Sequence, residues 1–244
     1  MVTTVKQLKE QLNISDSAFI GLFLCGSQNY GLDSEASDKD YICIVTDFNL
    51  SYQTVHINNS QIKVYSACYF LRLLQAGDLE CLECLYTDQA EINPHYYKVI
   101  RYIKESLLNV LDYNNVIASL NKKLKEHISY LYIHKANDSP AAQYSRKRLY
   151  WAIRVGNQLE RIMSGESFAT SLKYPEDLHD ELLKIKTIEN YLDSAQVQTI
   201  ENHLKELMNK VAAIEGLPAV ITNNFMFEIL SRFKELKYMA DIKN

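Results

Sequence analysis

The sequence predicts an α+β protein, with a small mixed-sheet domain over residues 1–110 and an all-helical domain over residues 111–244. Three observations predict it. Apolar runs of strand length and one hairpin signal are confined to the first third. From His95 onward the apolar residues recur at helical intervals instead. Glycine (7) and proline (4) are scarce in 244 residues, which favours helix over loop.

Residues 5–12 have helical spacing and end in the turn residues of 13–17. The apolar run 18–25 reads as a buried strand. Residues 27–32 form a short helix or helical turn, 33–37 a polar loop, and 41–46 the second strand. Residues 54–57 and 61–65 flank Asn58-Asn59-Ser60, a hairpin signal. A helix over 67–75 stops near Gly77, and 79–85 is a short apolar piece. Helices follow over 96–110, 115–134, 141–163, 175–185, 195–214 and 224–237, with Gly216-Leu217-Pro218 separating the last two. The domain boundary falls within 93–115.

Composition excludes several classes. No apolar stretch approaches the length that crosses a bilayer, and residues 1–10 have no signal-peptide pattern. The five cysteines (Cys25, Cys43, Cys68, Cys81, Cys84) are odd in number and lie in apolar surroundings, so they read as reduced thiols of a cytoplasmic protein. Cys81-Leu82-Glu83-Cys84 has zinc-ligand spacing, but no second pair or histidine matches it. A net charge of −4 gives no global electrostatic case for nucleic acid. Between Asn121 and Arg161, however, nine basic residues stand against three acidic ones, a local +6. Lys147, Arg154 and Arg161 recur at intervals of seven and share a helix face. They read either as a cleft face, with Lys147 and Arg154 on phosphates, or as a salt-bridged surface. His127 and His134 also lie seven apart and read as packing or surface.

The most informative stretch is Gly26-Ser27-Gln28-Asn29-Tyr30-Gly31-Leu32, followed by Ser37-Asp38-Lys39-Asp40-Tyr41. Alternate residues of a strand share a face, so Asp38 and Asp40 aim at one point. Two adjacent carboxylates repel, and a hard divalent cation removes that penalty. Gly26-Ser27 lets a phosphate approach the backbone closely. Tyr30 either stacks on a base or packs under the turn.

Gly26-Ser27 followed by Asp38-Lys39-Asp40 resembles the signature of the DNA polymerase beta-type nucleotidyltransferase superfamily. The fuller pattern is similar to a narrower branch, the predicted nucleotidyltransferases linked to RNA repair, which also occurs in phages. Lys63-Val64-Tyr65-Ser66 and Leu82-Glu83-Cys84-Leu85 resemble later segments of that branch, as do Lys147 with Ala152-Ile153-Arg154 and Ser164-Gly165-Glu166. The resemblance implies a nucleoside triphosphate, ATP among the candidates, with its phosphates at Gly26-Ser27. It implies Mg2+ or Mn2+ on Asp38 and Asp40. An acceptor hydroxyl, RNA being the leading class, attacks the α-phosphate and releases pyrophosphate.

One departure stands out. The superfamily carries a third carboxylate on a later strand, and Gln61-Ile62-Lys63-Val64-Tyr65 has none. Gln61 or Lys63 occupies that position, and neither replaces a carboxylate. Glu83 is either a substitute metal ligand or a capping or ion-pairing residue. The sequence therefore leaves two functions open: nucleotidyl transfer, or a catalytically impaired module that binds nucleotide, RNA or a protein partner.

Overall fold

The computed structural model of the chain describes residues 2–32, 39–46, 52–110, 113–132, 144–188, 191–212 and 223–243. It divides into two compact units, Met1–Asp112 with Ala219–Asn244, and Tyr113–Pro218.

The first unit contains α1 (Val2–Leu12), β1 (Phe19–Cys25), a 3-10 turn (Gly26–Tyr30), β2 (Lys39–Val45), β3 (Tyr52–Ile57) and β4 (Ser60–Ser66). It continues with α2 (Ala67–Gln75), α3 (Leu79–Tyr86), β5 (Ala90–Ile92), a second 3-10 turn (Pro94–Tyr96) and α4 (Tyr97–Val110). The strands form a five-stranded mixed sheet of order β3-β4-β2-β1-β5, in which only β2 and β4 run parallel. The β3–β4 hairpin turns at Asn58, whose φ of 54 is the left-handed conformation that a two-residue hairpin demands.

Strand alternation sorts the two faces. Leu22, Leu24, Tyr41, Cys43, Val55, Ile62 and Val64 join Val5 and Leu8 of α1 in one apolar cluster. The opposite face is covered by α2, through buried Phe70, Leu71 and Leu74, and by α3. β1 is buried along its whole length because both of its faces are covered. The expected apolar piece at 79–85 is the helix α3, N-capped by Asp78, which accepts from the Cys81 amide at 3.0 Å.

The second unit holds α5 (Tyr113–Ser129), α6 (Arg146–Met163), α7 (Phe168–Ser171), α8 (Glu176–Thr187) and α9 (Ser194–Val211). α6 is the hub and packs on α5, α8 and α9. Its Gly156 admits α9 closely: a Cβ there would lie 2.3 Å from Leu204 Cδ2. α9 starts with a reciprocal capping box between Asp193 and Gln196.

The last helix, α10 (Asn223–Lys243), groups with the sheet unit, whereas the sequence places it in a helical domain over 111–244. Its buried Ile229, Phe233 and Ala240 form the stripe that decides this. The Phe233 ring lies 5.9 Å from that of Tyr96, and Ser17 donates a hydrogen bond to Asp241. Among the described residues, no helix is long and apolar enough to cross a membrane. All five cysteines are free thiols, and all but Cys68 are buried.

Candidate functional site at the Gly26 turn

β1 ends at Cys25 and delivers the chain into the 3-10 turn through Gly26, at φ +73. The turn closes on Gly31, at φ 66, and the Leu32 amide donates to the Ser27 carbonyl at 2.9 Å. Both glycines occupy the left-handed region, which costs an L side chain about 1–2 kcal/mol. Leu32 is fully buried and anchors the exit.

Asp40 is the second residue of β2 and pairs across the ladder with Cys25, the residue before the turn. Its carboxylate reaches over the turn's first residue, because a Cβ on Gly26 would lie 3.0 Å from Asp40 Oδ2. The missing Cβ leaves room beside an exposed carboxylate oxygen. Asp38, the expected partner of Asp40, lies outside the described residues.

The parallel register settles which residue stands beside Asp40 on the next strand. It is Gln61, with His56 next to it on β3. Lys63 lies two residues along, on the same face as Asp40, and its ammonium pairs with Glu80 of α3. Burial disfavours the charged form of Lys63, but Glu80, Tyr52 and Asp40 outweigh it and hold its pKa above the ordinary lysine value. This Lys63–Glu80 pair was not anticipated. Its only trace in the sequence is the strand alternation that puts 61 and 63 on one face.

Glu83 is buried on α3, 7% exposed. Burial chiefly, then Glu83 and Glu80, push the Cys25 thiol well above its usual range, so both acids lie within electrostatic reach of the strand end. Cys25 is therefore a protonated packing residue and not a nucleophile. Among the described residues, no group of three His, Cys, Asp or Glu side chains stands close enough to hold a metal ion.

Two expected contacts need correction. Tyr30 is 9% exposed, so its ring packs inside the protein and offers no face to a base. Arg154 is 1% exposed, with its guanidinium 4.5 Å from the Trp151 ring centroid and its Nε donating to the Tyr174 hydroxyl at 2.9 Å. A seven-residue interval identifies a helix face but not which way it points. α6 is wrapped by α5, α8 and α9, and that face turns inward at Arg154. Lys147, the second residue of the same helix, is exposed. Arg161 is structural: it pairs with Glu166 at 2.7 Å and donates to the carbonyls of Thr170, Ser171 and Lys173.

No family model matches the chain, and no curated protein matches it. Among solved structures it is similar to a nucleotidyltransferase-like protein from Exiguobacterium sibiricum 255-15. Identity is 12%, the match covers 91% of this chain and 82% of the other, and the TM-score is 0.36. A likeness this distant leaves function to be read from the residues themselves.

Proposed function

We propose that the chain is a metal-dependent nucleotidyltransferase that moves a nucleoside monophosphate from a nucleoside triphosphate to an acceptor, with RNA as the acceptor class. One observation carries the reading: an exposed carboxylate, Asp40, held over a glycine that lacks a Cβ at the end of a buried strand.

Gly26 allows a phosphate to approach the backbone beside Asp40, where any side chain would stand in the way. Asp40 and Asp38 are the residues that would hold Mg2+ or Mn2+. One or two carboxylates plus substrate phosphates are the donor set that magnesium accepts, so the residues fit the ion. When bound, the ion supplies charge neutralisation on the phosphates. The rigidity of β1 and the register between Cys25 and Asp40 fix the carboxylate relative to the turn, and positioning of this kind dominates phosphoryl chemistry. Lys63 stays charged on the same sheet face and adds a fixed cation near the polyphosphate.

A second reading is favoured by one observation, that Gln61 stands in register beside Asp40 where a third acid would assist transfer. In that reading the chain binds nucleotide, RNA or a protein partner without turnover.

The deciding experiment incubates the protein with each α-labelled triphosphate, magnesium or manganese, and total RNA or protein. Transfer predicts metal-dependent label on the acceptor and pyrophosphate release, both lost in Asp38→Asn and Asp40→Asn. Saturable nucleotide binding without release selects the second reading, and absence of nucleotide binding removes transfer and the nucleotide-binding form of the second reading.

A further inference from the structure

The second unit carries a basic, aromatic surface that the Gly26 site does not use. At the end of α5 and the start of α6, five side chains form a continuous chain of contacts. Tyr130 is 63% exposed, and the Arg148 guanidinium lies 5.3 Å from its ring centroid. Arg148 Nη1 lies 3.3 Å from His127 Nδ1. The His127 ring stacks on Trp151 at 5.7 Å with an interplanar angle of 12°. Arg154 backs the Trp151 ring from within the unit.

Exposed cations extend this stack on both helices. Lys123 lies one turn before His127 on α5, and Lys147 lies one turn before Trp151 on α6. Among the described residues neither lysine pairs with a carboxylate, and Glu126, against Arg148 at 3.7 Å, is the anion that the stack engages. Burial first, then Arg148, hold the His127 pKa down to about 4, with Glu126 opposing, so its ring is neutral at pH 7 and, 8% exposed, packs against Trp151 without adding charge. A salt-bridged surface would alternate signs. This one sets Lys123 and Lys147, together with Arg148 and its carboxylate partner Glu126, around the exposed ring of Tyr130.

We infer that this face of the second unit binds single-stranded nucleic acid, with Lys123, Lys147 and Arg148 on successive phosphates and the exposed ring of Tyr130 stacked on a base. The combination of cationic track and exposed ring selects a single strand over a duplex, whose bases are already stacked. The binding stands independently of the Gly26 site and needs neither metal nor triphosphate.

Trp151 is the single tryptophan of the chain, so the protein reports on its own patch. The full chain is titrated with an unlabelled single-stranded oligoribonucleotide in EDTA without nucleotide, following tryptophan fluorescence. A saturable change is expected, with log K against log salt falling at a slope of about −2 for three phosphate contacts. Tyr130→Ala removes a stacking face and weakens binding by about five- to a hundred-fold. Lys123→Gln and Lys147→Gln each flatten the slope by about 0.7. These three residues are exposed, so circular dichroism should find each variant folded. A silent titration, confirmed by the absence of any mobility shift, overturns the inference. So does duplex RNA binding as tightly as the single strand, or a Tyr130→Ala variant with full affinity. Because EDTA is present, failure here leaves nucleotidyl transfer untouched, and loss of transfer in Asp40→Asn leaves this binding untouched.

Discussion

Gly26→Ala tests the candidate site most sharply, because two separable costs meet at one atom. The backbone at φ +73 charges an L residue about 1–2 kcal/mol. The new methyl would lie 3.0 Å from Asp40 Oδ2 and 3.6 Å from Asp40 Cβ, so the carboxylate must swing aside, at about 0.5–1.5 kcal/mol for a displaced rotamer. Together they destabilise the sheet unit by about 2 kcal/mol, a fall in Tm of about 4–8 °C by calorimetry. The functional cost is separate. With Asp40 displaced and the phosphate approach filled, affinity for a non-hydrolysable triphosphate with manganese drops at least about ten-fold, or about 1.4 kcal/mol, by titration calorimetry. Gly31→Ala is the control. It carries the same backbone strain, at φ 66, at the far end of the turn, and should lose stability while keeping affinity. If Gly26→Ala melts with wild-type and binds the analogue equally well, or if Gly31→Ala loses as much affinity, the proximity of Gly26 and Asp40 has no bearing on ligand binding.

Three further outcomes are expected. Gln61→Glu adds a carboxylate in register with Asp40; like-charge repulsion should cost the metal-free protein about 0.5–1 kcal/mol, and manganese affinity by titration calorimetry should rise. Gly156→Ala gains about 1 kcal/mol of helix propensity but collides with the buried Leu204, an overpacking cost of about 1–3 kcal/mol, so denaturant melts should show net destabilisation. In a Leu204→Ala background the same change should become stabilising, and the absence of that reversal would refute the contact. His127, lowered to about 4 by burial and by Arg148, is more easily protonated in the unfolded chain than in the folded one. Its contribution is therefore complete above about pH 6.5 and is lost as pH falls towards 4. Thermal melts of wild-type should lose about 1–2 kcal/mol between pH 7 and 5, and His127→Gln should show a flatter profile.

Much of the sheet was legible because it obeys local rules. The apolar run ending at Cys25, the apolar run of β2 and the Asn58-Asn59 turn each determine their own conformation, and the α+β class followed from them. The features that escaped depend on distant partners. β5 has three residues, too few for a period, and exists because Gly21, Leu22 and Phe23 pair with it. α10 has only a weak apolar stripe of its own, and Tyr96 and Ser17 claim it for the sheet unit. At the candidate site, the shortage of acids on β4 was visible in the sequence. That Gln61 rather than Lys63 adjoins Asp40 required the register, and the buried places of Tyr30 and Arg154 required the packing.

The return of α10 has a consequence for biogenesis. A ribosome releases the strands well before the residues that close over Tyr96, with the whole of Tyr113–Pro218 emerging in between. The helical unit, whose neighbours are close in sequence, can reach its final form first, while the older sheet waits with an apolar flank uncovered. Chains truncated before Asn223 should therefore offer that flank to a chaperone, and released chains that include α10 should not.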